Sequence, residues 1–305
     1  MRRGLLRCIP ISVPMLEVTQ PIRRLEQFQP MQVTVAKPKR RRVRRYIALA
    51  LILAYFFAPL RTNILFLGAD SSLERGSLGR TDTILLTSVV PLKPYVGLLS
   101  IPRDLWVTVP DVGEQRINTA YFYSEVNQAG SGSEAAMSAI QQNFDVPVHY
   151  YALIHMQGLV SVIDALGGVD ITLDAPTGGL PAGSYHLDGV QALAFVRDRS
   201  IGDDFGRMAG TQTLIAALLK KTLQPASWLA LPQVIATLAQ AVDTNIPLWQ
   251  GPRLLFALVR APLFGLETRT ITREMVTPFT TAGGAQVLLP NWEAIKPLIR
   301  ETFGR

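Results

Sequence analysis

The sequence predicts a layered α/β/α body with a central mixed β-sheet, set behind one N-terminal transmembrane helix. Three observations carry that reading. Along residues 64–223, short apolar runs of strand length alternate with longer segments of helical period, the pattern of a layered fold around one core. The chain has 305 residues and is 48% hydrophobic, enough to bury a substantial core, which excludes a disordered chain or a mini-protein. Charge is unevenly placed: residues 1–45 carry 12 Lys and Arg against 2 Asp and Glu, whereas residues 46–305 carry 18 against 21. The overall +7 is therefore a +10 tail on a −3 body. A single cysteine, Cys8, excludes an internal disulfide framework and a four-cysteine zinc site.

Residues 1–36 show no sustained period and carry prolines at 10, 14, 21 and 30, as expected of a mostly disordered segment. The run Lys37-Pro38-Lys39-Arg40-Arg41-Arg42-Val43-Arg44-Arg45 then meets 15 uncharged residues, 46–60. Positive charge before an apolar segment places that side in the cytoplasm. As helix the run spans about 22 Å, against a hydrocarbon core of about 30 Å, short for a span. Three arrangements fit: a membrane anchor with the body outside, a cleaved signal peptide, and a core helix behind a nucleic-acid-binding arm. The charge step favours the anchor, giving a cytoplasmic tail over 1–45, a transmembrane segment over 46–60 and an extracytoplasmic body over 61–305. A three-residue linker, Arg61-Thr62-Asn63, would hold that body at the membrane face.

In the body, residues 64–67 predict a buried strand ending in Gly68-Ala69-Asp70, followed by a polar loop over 71–81. Residues 83–90 and 95–101 predict two strands of a hairpin turning at 91–94. A helix is expected over 133–144, a strand over 149–154, a helix over 156–166 closed by Gly167-Gly168, and a strand over 169–173. A Pro/Gly loop over 174–187 leads to a short helix over 189–196. A long amphipathic helix over 206–223 follows, with Leu214, Ala217 and Leu218 on its buried face. Residues 224–305 predict proline-punctuated helices, a short β segment near 268–272 and a final helix. The sequence has no internal repeat.

Three charged spots interrupt apolar elements. Asp70, Arg80 and Asp82 stand at the two mouths of one loop. Either Asp70 makes a turn and Asp82 caps a strand, or the loop brings the carboxylates together as a pair able to hold Mg²⁺, an ion that takes one or two carboxylates and leaves sites for phosphate. Arg103 and Asp104 follow the apolar strand over 95–101, as a structural ion pair or as part of a site. Arg116 by itself reads as a solvated loop residue. Arg197-Asp198-Arg199 and Asp203-Asp204-Phe205-Gly206-Arg207 are the densest group. Three arginines at a helix start can bind phosphate through guanidinium forks, and Asp204 can alternatively cap that helix. The sequence holds no Walker-type loop, no Gly-x-Gly-x-x-Gly and no Gly-x-Ser-x-Gly elbow, and the three histidines lack metal spacing. Several arginines with paired aspartates and no nucleophile fit phosphoryl chemistry on a diphosphate.

These residues fall into an ordered set: Asn63-Ile-Leu-Phe-Leu-Gly68-Ala-Asp70, Arg80-Thr-Asp82-Thr83, Leu98-Leu-Ser-Ile-Pro-Arg103-Asp104, Arg116-Ile-Asn118-x-Ala120-Tyr121, Asp164-Ala-Leu-Gly-Gly-Val169, Leu187-Asp-Gly189-x-Gln191-Ala192-Leu193-Ala-Phe-Val-Arg197-x-Arg199 and Asp204-Phe-Gly-Arg207. The set, covering about 63–223, closely resembles the LytR–CpsA–Psr (LCP) family. The resemblance implies an extracytoplasmic phosphotransferase anchored by one N-terminal helix in the cell membrane. Its donor would be a polyprenyl-diphosphate-linked glycan, and its acceptor a peptidoglycan sugar hydroxyl. Asp70 and Asp82 would bind Mg²⁺, and Arg80, Arg103, Arg116, Arg197, Arg199, Arg207 and Gln212 would hold phosphate. Asp82, Arg103, Asp104, Arg197, Arg199 and Asp204 would serve the reaction, with Asp104 positioning an arginine or acting as base. The lipid tail would enter a hydrophobic tunnel under the helices at 156–166 and 207–223. Arg116 replaces the usual Lys, and Met208-Ala-Gly210-Thr211-Gln212 leaves only Gln212 where the family often has an Arg and a Gln pair. Other functions fitting the sequence are a membrane-bound transcriptional regulator with a nucleic-acid-binding tail and a polyprenyl-diphosphate hydrolase or lipid binder. No nucleic acid partner is expected on the transferase reading.

Overall fold

The computed structural model describes residues 40–57, 60–69, 79–90, 95–198, 204–264 and 266–304. Contacts divide the chain into two units, Met1–Ala48 and Leu49–Arg305. Helix α1 (Arg40–Phe57) crosses that division, so the described part of the first unit is helical. The second unit opens with the strands β1 (Thr62–Ala69), β2 (Thr81–Val90), β3 (Tyr95–Ser100), β4 (Trp106–Val109) and β5 (Gly113–Arg116), then the helices α2 (Thr119–Asn127) and α3 (Gly132–Phe144). Next come β6 (Tyr150–His155), α4 (Met156–Ala165), β7 (Val169–Leu173), β8 (Gly183–Leu187), α5 (Gly189–Arg197) and α6 (Asp204–Leu223). The chain ends with α7 (Leu231–Ala241), β9 (Val242–Thr244), α8 (Gly251–Phe264), β10 (Leu266–Thr270), β11 (Val276–Thr280), β12 (Gln286–Pro290) and α9 (Trp292–Phe303).

The central sheet has the order β10-β3-β2-β1-β6-β9. Its pairs β1/β6 and β10/β3 are parallel and the others antiparallel, so the sheet is mixed, as expected. Strand alternation divides its two faces. Leu65, Leu67, Ile84, Leu86, Leu99 and Leu153 point into the main core, where α2, α3 and α9 contribute Tyr121, Ile140, Phe144, Ile295 and Phe303. The alternate residues Phe66, Thr83, Leu85, Thr87, Val96 and Leu98 face the other way and line an apolar cavity of about 340 Å³. Met156 and Leu159 of α4 and Thr211, Leu214, Ile215 and Leu218 of α6 form its opposite wall. A second core of α4, α5, α6, β7 and β8 closes over it.

Three expectations are revised. The loop over 174–187 contains β8, which pairs antiparallel with β7; its residues Gly-Ser-Tyr-His-Leu lack the apolar run that marks a strand. The region after 224 contains β9 and the hairpin β11–β12 besides the expected β segment. Asp82 lies inside β2 rather than before it. Gly68 pairs with Thr83 and Ala69 with Thr81, so Asp82 is the extra residue of a bulge. Helix α1 covers residues 46–57 of the expected anchor, and residues 58 and 59, the disordered-tail expectation over 1–36 and the turn at 91–94 lie outside the described residues. Among the described residues no helix is long and apolar enough to cross a membrane.

Candidate active site

The bulge in β2 frees Asp82 from the ladder at the end of the sheet, and bulges re-aim side chains in this way. Arg103 reaches it from the turn after β3. That turn is fixed by Ile101 N–H donating to Ile84 O (3.0 Å), Leu105 N–H to Pro102 O (3.2 Å) and Asn118 N–H to Arg103 O (3.3 Å). Arg103 Nη1 donates to Asp82 Oδ1 at 2.5 Å. Its Nε lies 3.1 Å from Asp204 Oδ1 and 3.4 Å from Asp104 Oδ2. Asp104 Oδ1 is in turn 3.3 Å from Arg116 Nε. Arg207, one turn into α6, pairs with Asp204 and donates from Nη2 to the Asp82 carbonyl at 3.1 Å. Three arginines and three aspartates from four parts of the chain thus form one network.

Asp204 opens α6, and its Oδ1 meets both Arg207 and Arg103. Burial raises its pKa above the ordinary carboxylate value, against the opposing pull of Arg207 and Arg103 and with a further push from Asp104. Its Oδ2 is buried without a hydrogen-bond partner among the described residues. Burial draws the Arg103 pKa down, but Asp204, Asp82 and Asp104 together override it, and the net shift is upward. Arg103 stays charged.

Arg103, Asp104, Asp204 and Arg207 of this network form one wall of a cavity of about 570 Å³. Pro278, Phe279, Thr280, Gln286 and Leu288 of the β11–β12 hairpin form the other. The hairpin is tied to the charged wall by Leu288 N–H donating to Asp104 O (3.0 Å) and Arg116 Nη2 donating to Gln286 O (2.6 Å). The sequence of these hairpin residues carries no strand-length apolar run. The available signal was Gly283-Gly284, where Gly284 takes φ +80° in the turn between two short extended segments.

Six of the expected site residues therefore meet: Asp82, Arg103, Asp104, Arg116, Asp204 and Arg207. Others are placed differently. The exposed Arg80 lies over the Phe122 ring, 5.7 Å from its centroid. Arg197 ends α5 with its side chain exposed. Gln212 Nε2 donates to Ser100 Oγ and Thr270 Oγ1, both at 2.7 Å, joining α6 to the ends of β3 and β10. Asp70, Arg199 and Asp203 lie outside the described residues.

The polar network and the apolar cavity share their elements. Asp82 belongs to the network and Thr83 lines the cavity; Arg207 belongs to the network and Thr211, one helical turn on, lines the cavity. Along β2 and α6, a network of charged side chains thus adjoins an apolar cavity. The family model for LytR_cpsA_psr matches residues 59–277, and the chain belongs to that family. It is 34% identical over 190 residues to the polyisoprenyl-teichoic acid–peptidoglycan teichoic acid transferase TagU of Oceanobacillus iheyensis, covering 60% of this chain and 58% of that one. It is 33% identical over 192 residues to the TagU of Bacillus cereus, covering 60% of each. The match thus spans under two thirds of these curated relatives. The fold is shared with the crystal structure of B. subtilis TagV (TM-score 0.65, 22% identity, 81% of this chain and 98% of that one). It is also shared with TagT bound to LIIa-WTA (TM-score 0.64, 21% identity, 80% and 91%).

Proposed function

We propose that the protein transfers a phosphate-linked glycopolymer from a polyprenyl-diphosphate carrier to a sugar hydroxyl of peptidoglycan. The observation that carries this reading is the arginine–aspartate network at the end of an apolar cavity, which matches a diphosphate head joined to a hydrocarbon tail. The names of the TagU relatives support the donor and acceptor classes. The basic run before residues 46–60 supports anchoring in the cell membrane with the body outside.

The three guanidinium groups are balanced by three carboxylates, so a diphosphate would gain its arginines by exchanging partners with them. The acceptor oxygen forms a bond to the glycan-bearing phosphorus while the bond from that phosphorus to the bridging oxygen breaks, and polyprenyl phosphate leaves. The hydroxyl proton passes to a carboxylate of the network. Asp204 suits that role, with a raised pKa and an Oδ2 that is buried without a hydrogen-bond partner among the described residues, and Asp104 holds Arg103 and Arg116 in place. Arg103 and Arg207 would stabilise the charge developing on the phosphoryl oxygens.

Mg²⁺ suits this donor set. Asp82, set outside the ladder by the bulge, offers hard carboxylate oxygens of the kind that ion takes, although no group of three or more metal-binding side chains occurs among the described residues. Held by Asp82 with Asp70, the ion would add positive charge at the diphosphate. Water in place of the acceptor would give hydrolysis. The hairpin wall extends the cavity well beyond the needs of a water nucleophile, which favours a sugar acceptor.

Arg103→Ala and Asp82→Ala should each lower transfer from a synthetic polyprenyl-diphosphate donor by roughly 100-fold or more, with the far-ultraviolet circular dichroism unchanged. Normal transfer by both variants would remove the assignment.

A further inference from the structure

The body exposes apolar side chains that a water-facing surface avoids. Leu229 and Leu248 are 95% and 96% exposed, and Trp228 and Trp249 are 60% exposed each. They belong to a pattern. Trp228 stands at helical spacing before Leu231, and the exposed Ile235 and Leu238 continue that stripe along α7, while Val234 faces inward. On α8 the exposed Leu255 and Val259 lie opposite the buried Arg253 and Ala257. Each helix thus carries an apolar stripe facing away from the core.

Both helices flank the apolar cavity. Leu218 lines the cavity and packs in one cluster with Val234 of α7; Val96 lines it and packs with Ala257 of α8. The same surface continues into the end of α1. Tyr55 Oη donates to the Trp249 carbonyl, Phe56 and Phe57 pack edge-on against Phe256 at 5.2 and 5.4 Å, and Arg260 covers the Phe57 ring at 5.6 Å.

This continuity answers a shortfall in the sequence. The 15-residue apolar run over 46–60 reaches about 22 Å, whereas a bilayer core needs about 30 Å. A short span is accommodated by local thinning of the bilayer or by snorkelling flanking residues, and either brings the polar headgroups close to the residues that follow it. Two of the four tryptophans stand on this surface, and tryptophan favours the boundary between lipid and water.

We propose that the face built from α7, α8, Trp228-Leu229 and Leu248-Trp249 rests in the headgroup layer of a lipid bilayer. The body thereby completes the short apolar segment, and an acyl chain would reach the cavity along this face, past Val96 and Leu218. Contact with lipid stands by itself; entry of the carrier along this face rests on the transferase reading.

The test uses the full chain in vesicles of phosphatidylcholine and phosphatidylglycerol with brominated acyl chains, which quench tryptophan fluorescence on contact. Wild type is expected to be quenched, and Trp228→Phe with Trp249→Phe should abolish most of that quenching, because Trp106 and Trp292 sit on β4 and α9. Quenching that is absent in wild type, or unchanged in the double variant, overturns the proposal and leaves the face to a protein partner. Leu229→Asp with Leu248→Asp should lower transfer from a long-chain carrier in the vesicle roughly tenfold, with transfer from a short-chain soluble carrier unchanged. Undiminished transfer from the long-chain carrier overturns the lipid-entry role. A wild type that turns over neither carrier defeats the transferase reading, while the quenching still decides the face.

Discussion

Asp204 is pulled in two directions. Burial raises its pKa, while the neighbouring Arg207 and Arg103 favour its charged form; burial prevails. A carboxyl whose folded-state pKa lies above its unfolded value binds more protons when folded. Its contribution to stability is therefore complete below the unfolded pKa and is lost as pH rises through the folded one. Asp204→Asn removes this titration. In urea denaturation followed from about pH 3 to about pH 6, wild type should lose stability relative to the variant as pH rises. A difference that moves the other way would mean that arginine pairing, not burial, governs this carboxyl. Arg116 shows a different constraint at the same scale. Its Nε meets Asp104 while its Nη2 holds the Gln286 carbonyl, a two-armed contact that the single ammonium of a Lys reproduces poorly.

At the scale of elements, several of the family-like residues position the site rather than enter it. Asp188 and Gln191 form a capping box at the start of α5, and Gly189 N–H donates to Asp164 Oδ1 at 2.8 Å, joining α5 to α4. The approach is close enough that a Cβ on Gly189 would lie 2.4 Å from the Val160 carbonyl oxygen. Gly189→Ala should cost about 1–3 kcal/mol in unfolding free energy. Val190→Ala, at an exposed position of the same helix, should stay within about 0.5 kcal/mol. Equal effects would show that the two helices can part without strain. Strands β1, β2 and β3 were legible because nearly continuous apolar runs mark buried strands, and α4 and α6 because their apolar residues recur at helical spacing. The site's charged wall was legible because Arg103, Asp104 and Asp204 interrupt or follow such runs. Its opposite wall was not. Val276-Thr-Pro-Phe-Thr280 is short, mostly exposed and carries a proline, so neither alternation nor propensity announces β11, and only its hairpin partner makes it a strand.

For the whole molecule, the two signs of charge are separated by task. The site's guanidinium groups are matched by carboxylates inside a body of net −3, while the excess of +10 belongs to residues 1–45. A dense basic run next to an apolar segment orients that segment during insertion, because Lys and Arg resist transfer across the membrane. A nucleic-acid role would use the same residues through a different property, phosphate neutralisation, which weakens steeply with added salt. Replacing Lys37, Lys39, Arg40, Arg41, Arg42, Arg44 and Arg45 by Ser separates the two. If the run sets orientation, protease added outside intact cells will digest the body of the wild type but leave a protected fraction of the variant. The detergent-solubilised variant should meanwhile transfer glycan at the wild-type rate, since none of these residues belongs to the site. Full accessibility of the variant, together with loss of a salt-sensitive nucleic-acid complex formed by wild type, would assign the tail to nucleic acid instead.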